Sequence, residues 1–290
     1  MSRTVLFPVL LLALLSATLS SVSGQSPDSP PQRIARATRS HLNSLARNED
    51  FSGVVLIAKD GNPILQAAYG YANLADHIPN HIDTRFNMAS MGKMFTAVAV
   101  MQLVQQGKIA LTEEVGRYLP DFPNEAVRTQ VTVEQLLTHT SGMGNFWEQL
   151  DEKAKDHYRS VSDYIPLFAH EKLLFEPGKG FAYSNNGFTV LGLIIEAVSG
   201  KSYFDYVKEN IYLPCGMADT DAFALDEPVS RMAIGYSRSQ DRPGQLVSNL
   251  FVTTFKGGPA GGSYTTAPDL LRFADALVGI SSSAQLSPPG

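Results

Sequence analysis

Ser90-Met91-Gly92-Lys93 is the stretch whose reading decides the fold. A serine hydroxyl is almost wholly protonated at neutral pH, so it attacks a carbonyl only when a base takes its proton. Residues three apart share a helix face, which puts the Lys93 amine within reach of the Ser90 hydroxyl. Phe95, Val98, Val100, Met101, Leu103 and Val104 follow, and this pattern predicts a helix over residues 90–106, stopped by Gly107. A helix apolar on more than one face is a buried one. Its N-terminus would bring partial positive charge and free N–H groups beside Ser90, which suits a developing oxyanion. On its own so short a quartet more often marks an N-capping serine and a solvated lysine. The rest of the chain has to change those odds.

Upstream, Ile34, Ala37, Leu42 and Leu45 give residues 33–47 helical spacing. Val54-Val55-Leu56-Ile57, the turn Asp60-Gly61-Asn62-Pro63 and the returning segment 64–69 predict a β-hairpin. Residues 70–87 read as a connection. Downstream the pattern is mostly helical. Thr132-Val133-Glu134-Gln135 is a capping box, residues 187–198 form an apolar helix stopped by Gly200, Ser202 caps the next, and Thr266-Ala267-Pro268-Asp269 opens the last.

Composition narrows the function classes. The chain has 290 residues, 44% of them hydrophobic, enough for a large core, and its net charge of -5 without a basic block argues against nucleic acid as a partner. Residues 1–24 read as a cleavable export signal: Arg3, an apolar run over residues 5–15 broken by Pro8, then small and polar residues up to Gly24. The run is shorter than the ~20 residues of a membrane span. A secreted or periplasmic location is therefore expected, with no stable span after cleavage. Residues 25–32 read as a flexible Ser- and Pro-rich leader and residues 33–290 as a single domain. Cys215 is the one cysteine, so no internal disulfide can form, and its surroundings suggest a buried, inert thiol.

The second informative segment is Tyr183-Ser184-Asn185, delivered by a Pro- and Gly-containing loop just before the apolar helix. A phenol beside a cation can shuttle a proton, and an asparagine amide can donate to a substrate carbonyl while accepting from an ammonium. Together, Ser90-Met91-Gly92-Lys93 and Tyr183-Ser184-Asn185 resemble the motifs of the serine β-lactamase and penicillin-binding-protein superfamily, in its class C and esterase-like branch. Phe51-Ser52-Gly53-Val54-Val55-Leu56-Ile57, Leu136-Leu137-Thr138-His139-Thr140-Ser141-Gly142 and Tyr264-Thr265-Thr266-Ala267-Pro268-Asp269-Leu270 resemble further segments of that branch, in the same order.

The resemblance implies an α/β (α+β) fold of the β-lactamase/transpeptidase type: an antiparallel sheet flanked by helices, plus an α-helical subdomain carrying Tyr183. It implies a serine hydrolase working through an acyl-enzyme on an ester, a β-lactam or a D-aminoacyl peptide of the peptidoglycan kind. Ser90 would be the nucleophile and its N–H half of the oxyanion hole. Lys93, kept partly neutral by burial and a nearby positive charge, would be the base for Ser90 or hold Tyr183 as phenolate. Tyr183 would protonate the leaving group and Asn185 would bind substrate and orient Lys93. No metal or organic cofactor is implied.

The family's third motif, K-T-G or H-x-G, is not matched. Lys256-Gly257-Gly258 looks like such a box, but we reject it because a capped helix follows where a strand should. The expectation is a C-terminally incomplete sheet, weak or no activity and a tendency to aggregate. The alternative reading is a non-catalytic binder that keeps the fold. Two other signals are set aside. His77 and His81 are four apart with Pro79 between them, which is no zinc helix, and His139 reads as a structural hydrogen-bonder.

Overall fold

The computed structural model describes residues 29–48, 50–150, 152–239 and 241–284. The expected export signal lies outside them. Helix α1, Pro30–Arg47, opens the described chain. It starts three residues earlier than the sequence pattern placed it, so the end of the expected leader is helical. The Gln32 side chain accepts from the Ser29 N–H at 2.8 Å, and prolines at the first turn lack the N–H groups that would otherwise go unpaired there.

Strands β1 (Gly53–Lys59) and β2 (Asn62–Tyr69) form the expected hairpin. Asp60 and Gly61 both take positive φ, 51° and 73°, the mirror-image turn whose twist matches two antiparallel strands. A register shift between Ile57 and Ala58 leaves Ile64 of β2 unpaired, next to Pro63, which cannot donate to the ladder. Leu42 of α1 packs on Leu65 and Ala67 of β2.

The expected connection holds three short strands, β3 (Tyr71–Asn73), β4 (Ile78–Pro79) and β5 (Phe86–Asn87). Then come a 3-10 turn, Ala89–Gly92, and helix α2, Lys93–Gln105. Helices α3 (Glu125–Gln130), α4 (Val133–Leu137) and α5 (Ile165–Phe168) lead to α6, Asn185–Ser199, and α7, Tyr203–Val207, which runs on as a π turn over Lys208–Tyr212. Strands β6 (Tyr236–Arg238), β7 (Leu246–Ser248) and β8 (Tyr264–Thr265) precede α8, Ala267–Ala284. The strands pair as four antiparallel ladders, β1 with β2, β3 with β4, β5 with β8 and β6 with β7. Helix α1 lies against β2 and α8 against β1, so the hairpin is flanked by helices as expected.

The main core forms where α2 crosses α6. Phe95, Ala99, Val100 and Leu103 of α2 and Val190, Leu191, Ile194 and Ile195 of α6 are sealed from solvent. Phe95 meets Tyr212 edge-on at 5.1 Å and Phe273 of α8 at 4.6 Å, so one side chain joins three elements. Truncating it to alanine would cost about 3–5 kcal/mol. Helix α2 is not buried all round, because Met101 is 47% exposed.

The helix caps follow the sequence. Thr132 accepts from the Gln135 N–H while Gln135 Oε1 accepts from the Thr132 N–H, and Gly200, at φ 70°, ends α6 in the left-handed conformation that glycine adopts without strain. Asp269, fully buried in the first turn of α8, accepts from Thr220 Oγ1 at 2.7 Å and the Asp219 N–H at 2.9 Å, and pairs with Arg272. That pairing lets a carboxylate stay in the core.

Candidate active site

Two distant parts of the chain fix the turn that carries Ser90. β5, just before it, pairs with β8, just before α8, and the Met88 N–H donates to the Ser263 carbonyl at 2.8 Å. Ala89 sits at φ 45°, a strained value for alanine, and this bend turns Ser90 out of the strand path into the 3-10 turn. Ser90 is therefore in the turn before α2 and does not cap it. Gly261 and Gly262 press on the outside of the bend. A Cβ at Gly261 would lie 2.2 Å from the Ala89 carbonyl oxygen, and the Gly262 N–H donates to that oxygen at 3.0 Å.

The structure brings all four expected residues together. Tyr183 Oη donates to Ser90 Oγ at 2.7 Å, and Lys93 Nζ lies 3.4 Å from the same oxygen. Lys93 Nζ also donates to Asn185 Oδ1 at 2.7 Å and to the Ala260 carbonyl at 2.5 Å. Two fixed acceptors therefore claim two of its hydrogens, and the third position faces Ser90. That position holds a hydrogen when the amine is charged and a lone pair when it is neutral. The ammonium also stands 4.7 Å from the centre of the Tyr183 ring.

Lys93 is 8% exposed. Burial pushes its pKa below the usual lysine value, and the Tyr183 phenol opposes that shift. Desolvation alone lowers it, and the expected neighbouring positive charge makes no contribution.

Asn185 is the first residue of α6, and Ser184 is its N-cap, accepting from the Gly187 N–H at 2.9 Å. A cleft of about 120 Å³ opens beside Ser90, bounded by Asn87, Phe146, Trp147, Asn185, Val252, Thr253, Thr254 and residues 260–262. A larger hollow, about 600 Å³, lies between residues 123–130 and 169–177 and touches none of the four.

Lys256 does not belong to the site, since its ammonium sits 4.1 Å over the Phe204 ring. The rejection of Lys256-Gly257-Gly258 as a third motif agrees with this. Its neighbourhood still matters, because the Ala260 carbonyl is the shortest contact of Lys93. A backbone acceptor leaves no trace in residue identity, although paired glycines at 261 and 262 signal close backbone approach. Asn145, which no sequence motif marks, accepts from the Asn185 N–H through Oδ1 and donates to the Tyr183 carbonyl through Nδ2, both at 2.9 Å. Cys215 is half-buried and its thiol is pushed up by burial, consistent with an inert group.

The profile of the family described as Beta-lactamase matches residues 39–289. Penicillin-binding protein 4* of Bacillus subtilis (strain 168) is 32% identical over 255 residues, a match covering 82% of this chain and 56% of that protein. Among solved structures, a penicillin binding protein from Bacillus halodurans superposes with a TM-score of 0.73 at 37% identity, covering 82% of this chain and 72% of that one. D-amino acid amidase from Ochrobactrum anthropi SV3, solved with L-phenylalanine amide, gives 0.68 at 26% identity, covering 86% and 69%. The chain thus spans little more than half the length of that curated relative, and the fold, the ordered motifs and the Ser90–Lys93–Tyr183 geometry agree with one conclusion: this chain belongs to the β-lactamase family.

Proposed function

We propose that this chain is a serine hydrolase that works through an acyl-enzyme. The contact between Tyr183 Oη and Ser90 Oγ, with Lys93 behind both, is the observation that carries the reading. Ser90 Oγ attacks the carbonyl carbon, and its proton passes to the Tyr183–Lys93 pair. Tyr183 then returns a proton to the leaving oxygen or nitrogen as the acyl bond breaks. Water attacks the ester on Ser90, giving its proton back through Tyr183 and releasing the acid. Asn185 Nδ2 is left to meet a substrate carbonyl while Oδ1 holds Lys93. The Ser90 N–H would serve as one oxyanion donor.

The narrow cleft, with Phe146, Trp147 and Val252 among amide and hydroxyl side chains, favours a small acyl group carrying an apolar part, on an ester, a β-lactam or a D-aminoacyl amide. Relatives named as penicillin-binding proteins and a D-amino acid amidase support the β-lactam and D-aminoacyl amide parts of that range. Residues 1–24 support export, which amino-terminal sequencing of the mature protein tests. The reaction itself is tested with a panel of p-nitrophenyl esters, a fluorescent penicillin and D-aminoacyl amides. A Ser90-dependent turnover or adduct with one class supports the reading, and none with any class removes it.

A further inference from the structure

One short turn holds the Tyr183 loop. The Ala182 N–H donates to the His139 carbonyl at 3.0 Å, and the Ser184 N–H donates to His139 Nδ1 at 3.1 Å. Asn145 takes the Tyr183 carbonyl and the Asn185 N–H, and Ser184 Oγ donates to the Gly144 carbonyl at 2.8 Å. The His139 ring also packs on the Tyr183 ring, centres 4.7 Å apart at 37°, and on Phe188 of α6 at 5.2 Å. His139 itself is held at φ 60°, a conformation that non-glycine residues rarely take. Backbone strain, a ring contact and an acceptor bond thus converge on the residue beside the tyrosine that touches Ser90.

We infer that His139 is a positioning residue for Tyr183: its neutral ring, accepting the Ser184 N–H, sets the phenol on Ser90 and gives up that hold when Nδ1 is protonated. The inference rests on the hydrolase reading above. An acceptor at Nδ1 requires the ring proton on Nε2, and protonation would set two donors face to face. Burial, then the charge of Lys93 on α2, both disfavour the imidazolium. Lys93, the Tyr183 phenol and Glu171, whose carboxylate lies by Gly144 and accepts from Asn186, are titratable groups against this turn, and Glu176 and Lys179 flank Gly178, whose N–H donates to the Thr140 carbonyl. Phe181 and Phe188 offer none.

The test uses the full chain and the nitrophenolate burst from p-nitrophenyl acetate. His139→Phe keeps a ring and loses the acceptor. His139→Asn offers an amide oxygen, tolerates positive φ and does not titrate. His139→Phe is expected to slow acylation by about 10- to 100-fold, the scale of a buried donor left unpaired. That loss should vanish in a Tyr183→Phe background. His139→Asn is expected to recover most of the rate at neutral pH. Its acid limb should follow one proton where the unmodified chain follows two, the second at the His139 midpoint read by NMR. An equal cost of His139→Phe in both backgrounds, or an unchanged acid limb in His139→Asn, overturns the inference. If no Ser90-dependent burst occurs at all, the hydrolase reading falls by itself. The Ser184 amide and Tyr183 ring resonances then decide the positioning, moving with the His139 titration if it holds and staying fixed if it does not.

Discussion

Ser90 and Lys93 stand one turn apart on a single stretch of chain, whereas Tyr183 reaches the same hydroxyl from a position 93 residues away. The first pair is set by the spacing of one 3-10 turn running into α2, a turn held from outside by β8 and Gly262, and its amine is tuned by burial between α2, α6 and the Ala260 carbonyl. The second partner comes from a loop whose shape is imposed by His139, Gly144 and Asn145. Yet the distant phenol makes the shorter contact, 2.7 Å against 3.4 Å. Nearness in sequence supplies the motif, and the tightest contact comes from tertiary structure.

That contrast can be broken in several ways. The largest effect is expected from Tyr183→Phe, which removes the nearer proton carrier and should slow acylation by about 10²- to 10⁴-fold. A burst of normal size and rate would show that Lys93 alone suffices. Lys93→Arg should follow, with a loss of about 10²-fold. Lys93 is pushed below its usual value, so the neutral amine increases as pH rises through that lowered value, and acylation should climb with it. A guanidinium stays charged across that range, so the pH–rate profile of the arginine variant should lack this step. Asn145→Ala leaves the Asn185 N–H and the Tyr183 carbonyl without their partner and should cost about tenfold in rate. An unchanged rate would show that the loop holds its shape without the amide.

The smallest effect on chemistry, read as stability, belongs to the bend on the Ser90 side. Gly261→Ala pushes a methyl against the Ala89 carbonyl at φ 129° and should cost about 1–3 kcal/mol by thermal unfolding. Gly258→Ala meets nothing within 4 Å and should stay within about 0.5 kcal/mol. Equal melting shifts for the two would remove the close approach from the account.

Features carried by residue identity at fixed spacing were legible before the structure. The Asp60–Gly61 hairpin turn, the Thr132–Gln135 capping box, the Gly200 stop and the Ser90–Lys93 pair all depend on neighbours a few positions away. Tyr183 and Asn185 were legible only through resemblance, since no local rule brings residue 183 to residue 90. Ala260 and Asn145 were not legible, because one acts through a carbonyl that every residue possesses and the other binds backbone atoms. Lys256 drew attention by its flanking glycines, but its charge rests on Phe204 while the backbone four residues later serves Lys93. Pattern showed a glycine-rich segment and did not show which of its atoms faced the serine.

The most direct test is rapid quenching of the p-nitrophenyl acetate reaction followed by intact-mass and peptide analysis. One acetyl group on Ser90, absent in Ser90→Ala and formed far more slowly in Tyr183→Phe, is the predicted result. Acetylation at another residue, or an equal adduct in Ser90→Ala, would contradict the proposed mechanism.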